Sequence, residues 1–95
     1  MKNSEFEWDD EKARSNFKKH GVSFEEGATI FNDPAIATIS DPDHSKDEER
    51  YISIGISVIL RLLTVIHTEH KERIRLISAR KATKAERKNY DNNQS

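Results

Sequence analysis

Three β-like runs crowd into residues 50–80, and they limit the possible folds of this chain more than any other feature. "RYISIGIS" (50–57) alternates strictly, with Ile52, Ile54 and Ile56 at one parity and Tyr51, Ser53, Gly55 and Ser57 at the other. "LLTVIHTE" (62–69) and "RIRLISAR" (73–80) follow at once, separated by His70, Lys71 and Glu72. A fourth run, "AIATIS" (35–40), precedes them. Strands this close together in sequence pair as an antiparallel meander, and a meander needs a layer to cover its apolar face.

The flanking segments supply that layer. "FEWDDEKARSNFKKHG" (6–21) reads as a short strand and then a helix, with Asp9 at the cap, Asp10 and Glu11 in the first turn and Gly21 as the stop. Trp8 is placed to staple onto Ala13, and Ala13 and Phe17 share one face. A second helix starts from a Ser23/Glu26 capping box, carries Phe24, Ala28 and Phe31 as its buried stripe, and ends at "NDP" (32–34). A third starts from Thr83 and Glu86. The expectation is an α+β domain with two N-terminal helices and one C-terminal helix around a 3–4 stranded antiparallel sheet. It would span residues 1–90 as a single domain, with 91–95 a disordered tail.

One junction lacks a signal. "SVILRL" (57–62) contains no Gly, Pro, Asn or Asp, yet the sheet must reverse there, so a turn is placed near Val58 to Arg61. The polar loop from Asp41 to Glu49 lacks the glycine and ligand spacing of a calcium loop and reads as a solvated connection.

Composition excludes several classes. There is no cysteine, hence no disulfide framework or thiolate metal site. The N-terminus has no signal-peptide core and no apolar run approaches a membrane span, so a cytoplasmic protein without membrane contact is expected. Charge is segregated: residues 1–50 hold seven basic and thirteen acidic side chains, residues 51–95 nine basic and four acidic. Between Lys71 and Lys88 there are eight Lys or Arg against two acids, the pattern of a surface that meets an anionic partner.

Register arguments then gather a cluster. If a three-residue connection sets Glu69 opposite Arg73, His67 falls opposite Arg75, and a hairpin near 59–61 sets Ser53 opposite His67. Tyr51, Ser53, His67, Glu69, Arg73 and Arg75 then share a polar face, while Ile54, Ile56, Ile66, Ile74 and Leu76 form the core face. Such a polar face holds what RNA phosphodiester cleavage requires. His67 or Glu69 can serve as base or acid, Arg73 and Arg75 can fork onto phosphate oxygens, and Arg80 can add a third contact. The plain alternatives are a structural histidine, a cross-strand ion-pair ladder and a solvated basic helix. His67 and His70, three apart on a strand, point to opposite faces, so no metal pair is expected.

These residues resemble a known family. Trp8-Asp9, Lys12-Ala13, Asn16, Lys19-His20-Gly21-Val22, Phe24-Glu25, Ala28 and Asp33-Pro34 look like the N-terminal signature of the BrnT toxins of bacterial type II toxin–antitoxin systems. "DPDHSKDEERYISIGIS", "LLTVIHTE" and "RIRLISARKATKAERKNY" are similar to its second half, so the likeness runs in order from about residue 6 to 90. It implies a RelE-like fold, a metal-independent and cofactor-free endoribonuclease that arrests growth, and a BrnA-type antitoxin that neutralises it. DNA would be met only through the antitoxin complex. His67, Glu69, Arg73, Arg75 and Arg80 match the family's pattern as catalytic candidates, and Lys81, Lys84, Arg87, Lys88 and Tyr90 follow as the RNA-binding helix. The chain departs from the family at "SVILRL", where a Gly-containing turn is usual, and at Gly27, where alanine is more common. Two other functions remain open on these residues: a non-catalytic RNA-binding domain, or an interaction module that only receives the antitoxin.

Overall fold

A computed structural model describes residues 5–41 and 48–93. Residues 42–47 of the expected solvated loop lie outside the described residues, as do 94 and 95 of the expected tail. The strands are β1 (Phe6–Glu7), β2 (Ala37–Ser40), β3 (Arg50–Ile56), β4 (Leu62–His70) and β5 (Arg73–Lys81). The helices are α1 (Asp10–His20), α2 (Phe24–Thr29), continued by a 3-10 turn Ile30–Asn32, and α3 (Lys84–Asn92). Asp91 and Asn92 thus belong to α3 rather than to a tail.

The fold is α+β, but the sheet is five-stranded and mixed rather than a 3–4 stranded antiparallel meander. Its order is β1-β5-β4-β3-β2. β1 pairs parallel to β5, with Phe6 against Ile74 and Glu7 against Arg75. The difference arises because β1 and β5 pair across 68 residues of sequence, a contact no local pattern announces. Where β1 ends, Asn16 of α1 takes over the edge of β5. Its side-chain amide donates to the Ala79 and Val22 carbonyls (2.7 and 3.0 Å) and accepts from the Ala79 N–H (3.1 Å), so a buried side chain does the work of a strand.

Local signals explain the helices. Asp9 accepts from the Lys12 N–H, Ser23 from the Glu26 N–H, and Gly21 closes α1 with φ 70° and an N–H donated to the Phe17 carbonyl. Only α3 has a complete capping box, Thr83 with Glu86. The Glu26 side chain turns instead to Ser57 and Arg61 at the base of the β3–β4 hairpin. Phe17, expected to share a face with Ala13, is 57% exposed, while α1 turns Ala13 and Asn16 inward.

Packing makes two layers unequal. α1 and α2 cover one sheet face, burying Val22, Phe24 and Ile30 against Leu63, Val65, Leu76 and Ala79. Gly27 and Gly55 permit this close approach: a Cβ at Gly27 would lie 3.1 Å from the Ala79 Cβ, and one at Gly55 3.0 Å from the Ile30 Cβ. α3 crosses one end of the opposite face, where Tyr90 packs on Ile54 and Leu62. Among the described residues no other helix covers that face, and Ile52 and Ile66 are partly exposed on it. No helix among the described residues is long and apolar enough to cross a membrane.

Register corrects the expected faces. The β4–β5 turn has two residues, Lys71 and Glu72, both with positive φ (51° and 66°), as a type I′ turn requires. His70 therefore pairs with Arg73, Glu69 with Ile74 and His67 with Leu76, not with Arg75. The three-residue connection is off by one, and a one-residue slip turns every side chain of β5 to the other face. A bulge at Ile66/His67 shifts the ladder by a further residue, so Ile66 pairs with Ser78. β3 pairs Tyr51 with His67 and Ser53 with Val65. Ser53 and His67 do share a face, though diagonally rather than opposite. That face is the helix-covered one, with Ile74 and Leu76. Ile54, Ile56 and Ile66 lie on the outer face with Arg73 and Arg75.

Candidate active site on the outer sheet face

β4 separates its two histidines. His67 is 6% exposed. Its ring stands edge-on to Phe31 (centroids 5.0 Å apart) and stacks on Tyr51 (5.7 Å). Nε2 bonds the Ser53 hydroxyl at 2.7 Å, and Ser53 in turn bonds Thr38 at 2.7 Å. Burial pushes the imidazole down to about 4, so it is neutral at physiological pH. Glu69 shares this parity at the exposed end of the strand. Neither side chain meets the arginines.

His70 points to the outer face and is half exposed. Its Nδ1 lies 2.8 Å from Glu7 Oε2. Arg75 approaches the same oxygen at 3.7 Å, and Arg73 approaches Oε1 at 3.9 Å. Glu7 is on β1, so the parallel β1–β5 pair delivers the carboxylate to the basic strand. Burial works to raise the Glu7 carboxyl. The His70 hydrogen bond and the positive charges of His70, Arg75 and Arg73 outweigh it and hold the group below the usual carboxylate range. An ionised carboxylate only accepts, so Nδ1 carries the proton donated to Glu7 and, in the neutral ring, Nε2 is left as the basic nitrogen.

The site continues across the sheet. Arg75 pairs with Thr68 and Thr68 with Arg50, so Glu7, Arg75, Thr68 and Arg50 form one transverse row. Further along β5, Arg80 is gripped by Glu86 through two hydrogen bonds (2.7 and 2.8 Å). Thr64 and the Thr83 N–H also donate to Glu86. Burial raises the Glu86 carboxyl, but these bonds and the Arg80 charge carry it down to about 2. Arg80 is therefore the clamp that seats α3.

Of the expected catalytic set, the structure brings Arg73, Arg75 and Arg80 to one face and puts His67 and Glu69 at the other parity. Of the expected RNA-binding set, Lys81, Lys84, Arg87 and Lys88 are exposed. Tyr90 is buried, donating its hydroxyl to Asp33 at 2.6 Å, and burial together with that bond and the Asp33 charge pushes it up to about 12. Sequence reasoning missed Glu7, His70 and Arg50. Arg50 was within reach, since it alternates with Ile52. His70 is hidden because Lys71-Glu72 lacks the Gly or Asn of a two-residue hairpin, and Glu7 depends on a pairing 68 residues away in sequence.

A family described as the ribonuclease toxin BrnT of type II toxin–antitoxin systems matches residues 8–86. No curated protein matches. Among solved structures, the 1.1 Å crystal structure of the Brucella abortus ribonuclease toxin BrnT is similar with a TM-score of 0.62. It is 22% identical and covers 86% of this chain and 100% of that one, a likeness that speaks for the fold. On the family match, which spans most of its length, this chain belongs to the BrnT family of ribonuclease toxins of type II toxin–antitoxin systems.

Proposed function

We propose that the protein is an endoribonuclease whose chemistry lies on the outer sheet face, in a RelE-like arrangement of a sheet flanked by helices. The carrying observation is the His70–Glu7 pair beside Arg73 and Arg75. His70 takes the proton of an RNA 2′-hydroxyl at Nε2 while Glu7 fixes the ring and supports the imidazolium that forms. The 2′-oxygen attacks the adjacent phosphorus, and the bond from phosphorus to the 5′-oxygen breaks. The leaving 5′-oxygen takes its proton from water, leaving a 2′,3′-cyclic phosphate. Arg73 and Arg75 stabilise the added charge on the phosphorane oxygens. Lys81, Lys84, Arg87 and Lys88 draw in the backbone electrostatically. The base and the charge stabilisation both come from side chains, so the expected reaction is metal-independent. A BrnA-type antitoxin would act by covering this basic face in the cytoplasm.

The test is cleavage of RNA by purified protein without ribosomes and with EDTA present. Cleavage by the parent, with losses of about 10²-fold or more in Glu7→Gln and Arg75→Ala, supports the proposal. Equal rates in all three proteins would end it. A second reading, binding without turnover, is favoured by one observation: Arg73 and Arg75 both face the Glu7 carboxylate, as in a cross-strand ion-pair ladder. It predicts salt-dependent RNA binding and intact RNA.

A further inference from the structure

The outer face carries its side chains in rows that the strand register sets. Beyond the row of Glu7, Arg75, Thr68 and Arg50 lies a second, made of Ser78, Ile66, Ile52 and Ile39 on β5, β4, β3 and β2. The third row is Arg80, Thr64, Ile54 and Ala37. There α3 covers the sheet, with Glu86 on Thr64 and Arg80 and Tyr90 on Ile54. The isoleucine row is thus the floor of a trough about two row spacings wide, roughly 13 Å from wall to wall. Guanidinium groups form one wall and the helix with its Arg80–Glu86 clamp forms the other. A cavity of about 340 Å³ sits in it, lined by Asp41, Arg50, Ile52, Ile66, Ser78 and Arg80.

An apolar strip that the described residues leave partly exposed between cations suits a ligand that is flat and apolar on one side and anionic on the other. A nucleotide has that form. An apolar peptide would have to strip water from Arg50 and Arg75 without replacing their partners. The Glu86 clamp also holds the Arg80 guanidinium as a fixed plate, the type of surface on which bases stack. We infer that the trough is a nucleobase subsite: the nucleotide whose phosphate lies on Arg75 and Arg50 lays its base on Ile52 and Ile66 beside Arg80. Asp41 and Ser78 line the same cavity and are placed to meet donors on the base edge. This inference rests on the ribonuclease reading and names which part of the substrate the face selects.

The experiment uses the full chain and a short single-stranded oligoribonucleotide cut at a mapped bond. Each position in turn is replaced by an abasic residue, and kcat/KM is measured for the parent and for Ile66→Thr, a substitution that keeps a β-branched strand residue. The expected result is one position next to the cut where base removal lowers kcat/KM about tenfold or more. At that position Ile66→Thr adds no further loss, because both changes remove the same contact. Losses spread evenly over all positions, or none, would overturn the subsite while leaving the ribonuclease reading intact. If even the intact oligonucleotide is not cut, the ribonuclease reading falls and the subsite with it. If Ile66→Thr cuts normally but escapes neutralisation by the antitoxin, the trough is a protein-docking strip and the inference is wrong. The abasic scan on the parent protein decides the matter even if Ile66→Thr folds poorly.

Discussion

His67 and His70 stand three residues apart on β4 and occupy different media. His67 is enclosed by Phe31 and Tyr51, with Nδ1 buried and unpartnered, so its charged form is disfavoured. The unfolded chain binds a proton at this histidine below about pH 6.5, the ordinary value, whereas the folded chain waits until about pH 4. Stability is therefore full above pH 6.5 and falls as pH drops through that window. The expected loss by pH 5 is about 2 kcal/mol. Urea unfolding at pH 7 and 5 measures it, and His67→Gln should flatten the curve; a flat parent would mean that His67 is not buried neutral. Glu86 contributes in a lower window, since its stabilisation is present above about 4.5 and is lost as pH falls toward 2. Asn16 makes a second residue-scale case. Asn16→Ala leaves the Ala79 N–H and two carbonyls without partners in a buried place, and a loss of about 2–3 kcal/mol in urea unfolding is expected. The signal for Asn16 in the sequence is its place three residues after Ala13 on one face of α1, where a polar side chain does not announce burial.

Among the elements, hairpins decided what was legible. Caps, helix starts and the alternation of β3 were readable because each depends on residues within one turn or one strand. The parity of Ile52, Ile54 and Ile56 against Tyr51 and Ser53 held. Which parity faced the helices did not, because both faces of β3 are partly covered, one by the 3-10 turn that follows α2 and the other by α3. The β4–β5 register was lost at Lys71–Glu72, a turn with positive φ at two residues that do not favour it. The β3–β4 turn was placed correctly at Val58–Arg61, yet its geometry is equally unfavourable. Ser57 and Arg61 close a three-residue loop in which Leu60 takes φ 65° while 84% exposed. Glycine is the ordinary occupant of that position. Leu60→Gly relieves the left-handed strain and buries nothing less, so a gain of about 1 kcal/mol is expected. The check is a higher urea midpoint with an unchanged m-value; a lower midpoint would show that the exposed Leu60 makes a contact worth more than its strain.

For the whole molecule, segregated charge is the feature that the sequence displays most plainly. The acidic N-terminal half packs as the helical layer, and the basic C-terminal half presents its arginines on the open sheet face. What sequence hid is that the two halves are stitched together at the site: β1 carries Glu7 across to β5, and only then do His70, Arg73 and Arg75 find their carboxylate. The central claim is that proton transfer belongs to His70 on the outer face and not to His67 in the core. The most direct measurement compares the rate of metal-free RNA cleavage by His70→Gln and His67→Gln, both verified folded at pH 7 and well below their melting temperatures. The account predicts a loss of about 10²-fold to 10⁴-fold in His70→Gln and a near-parental rate in His67→Gln. A parental rate in His70→Gln together with an inactive, folded His67→Gln would contradict it.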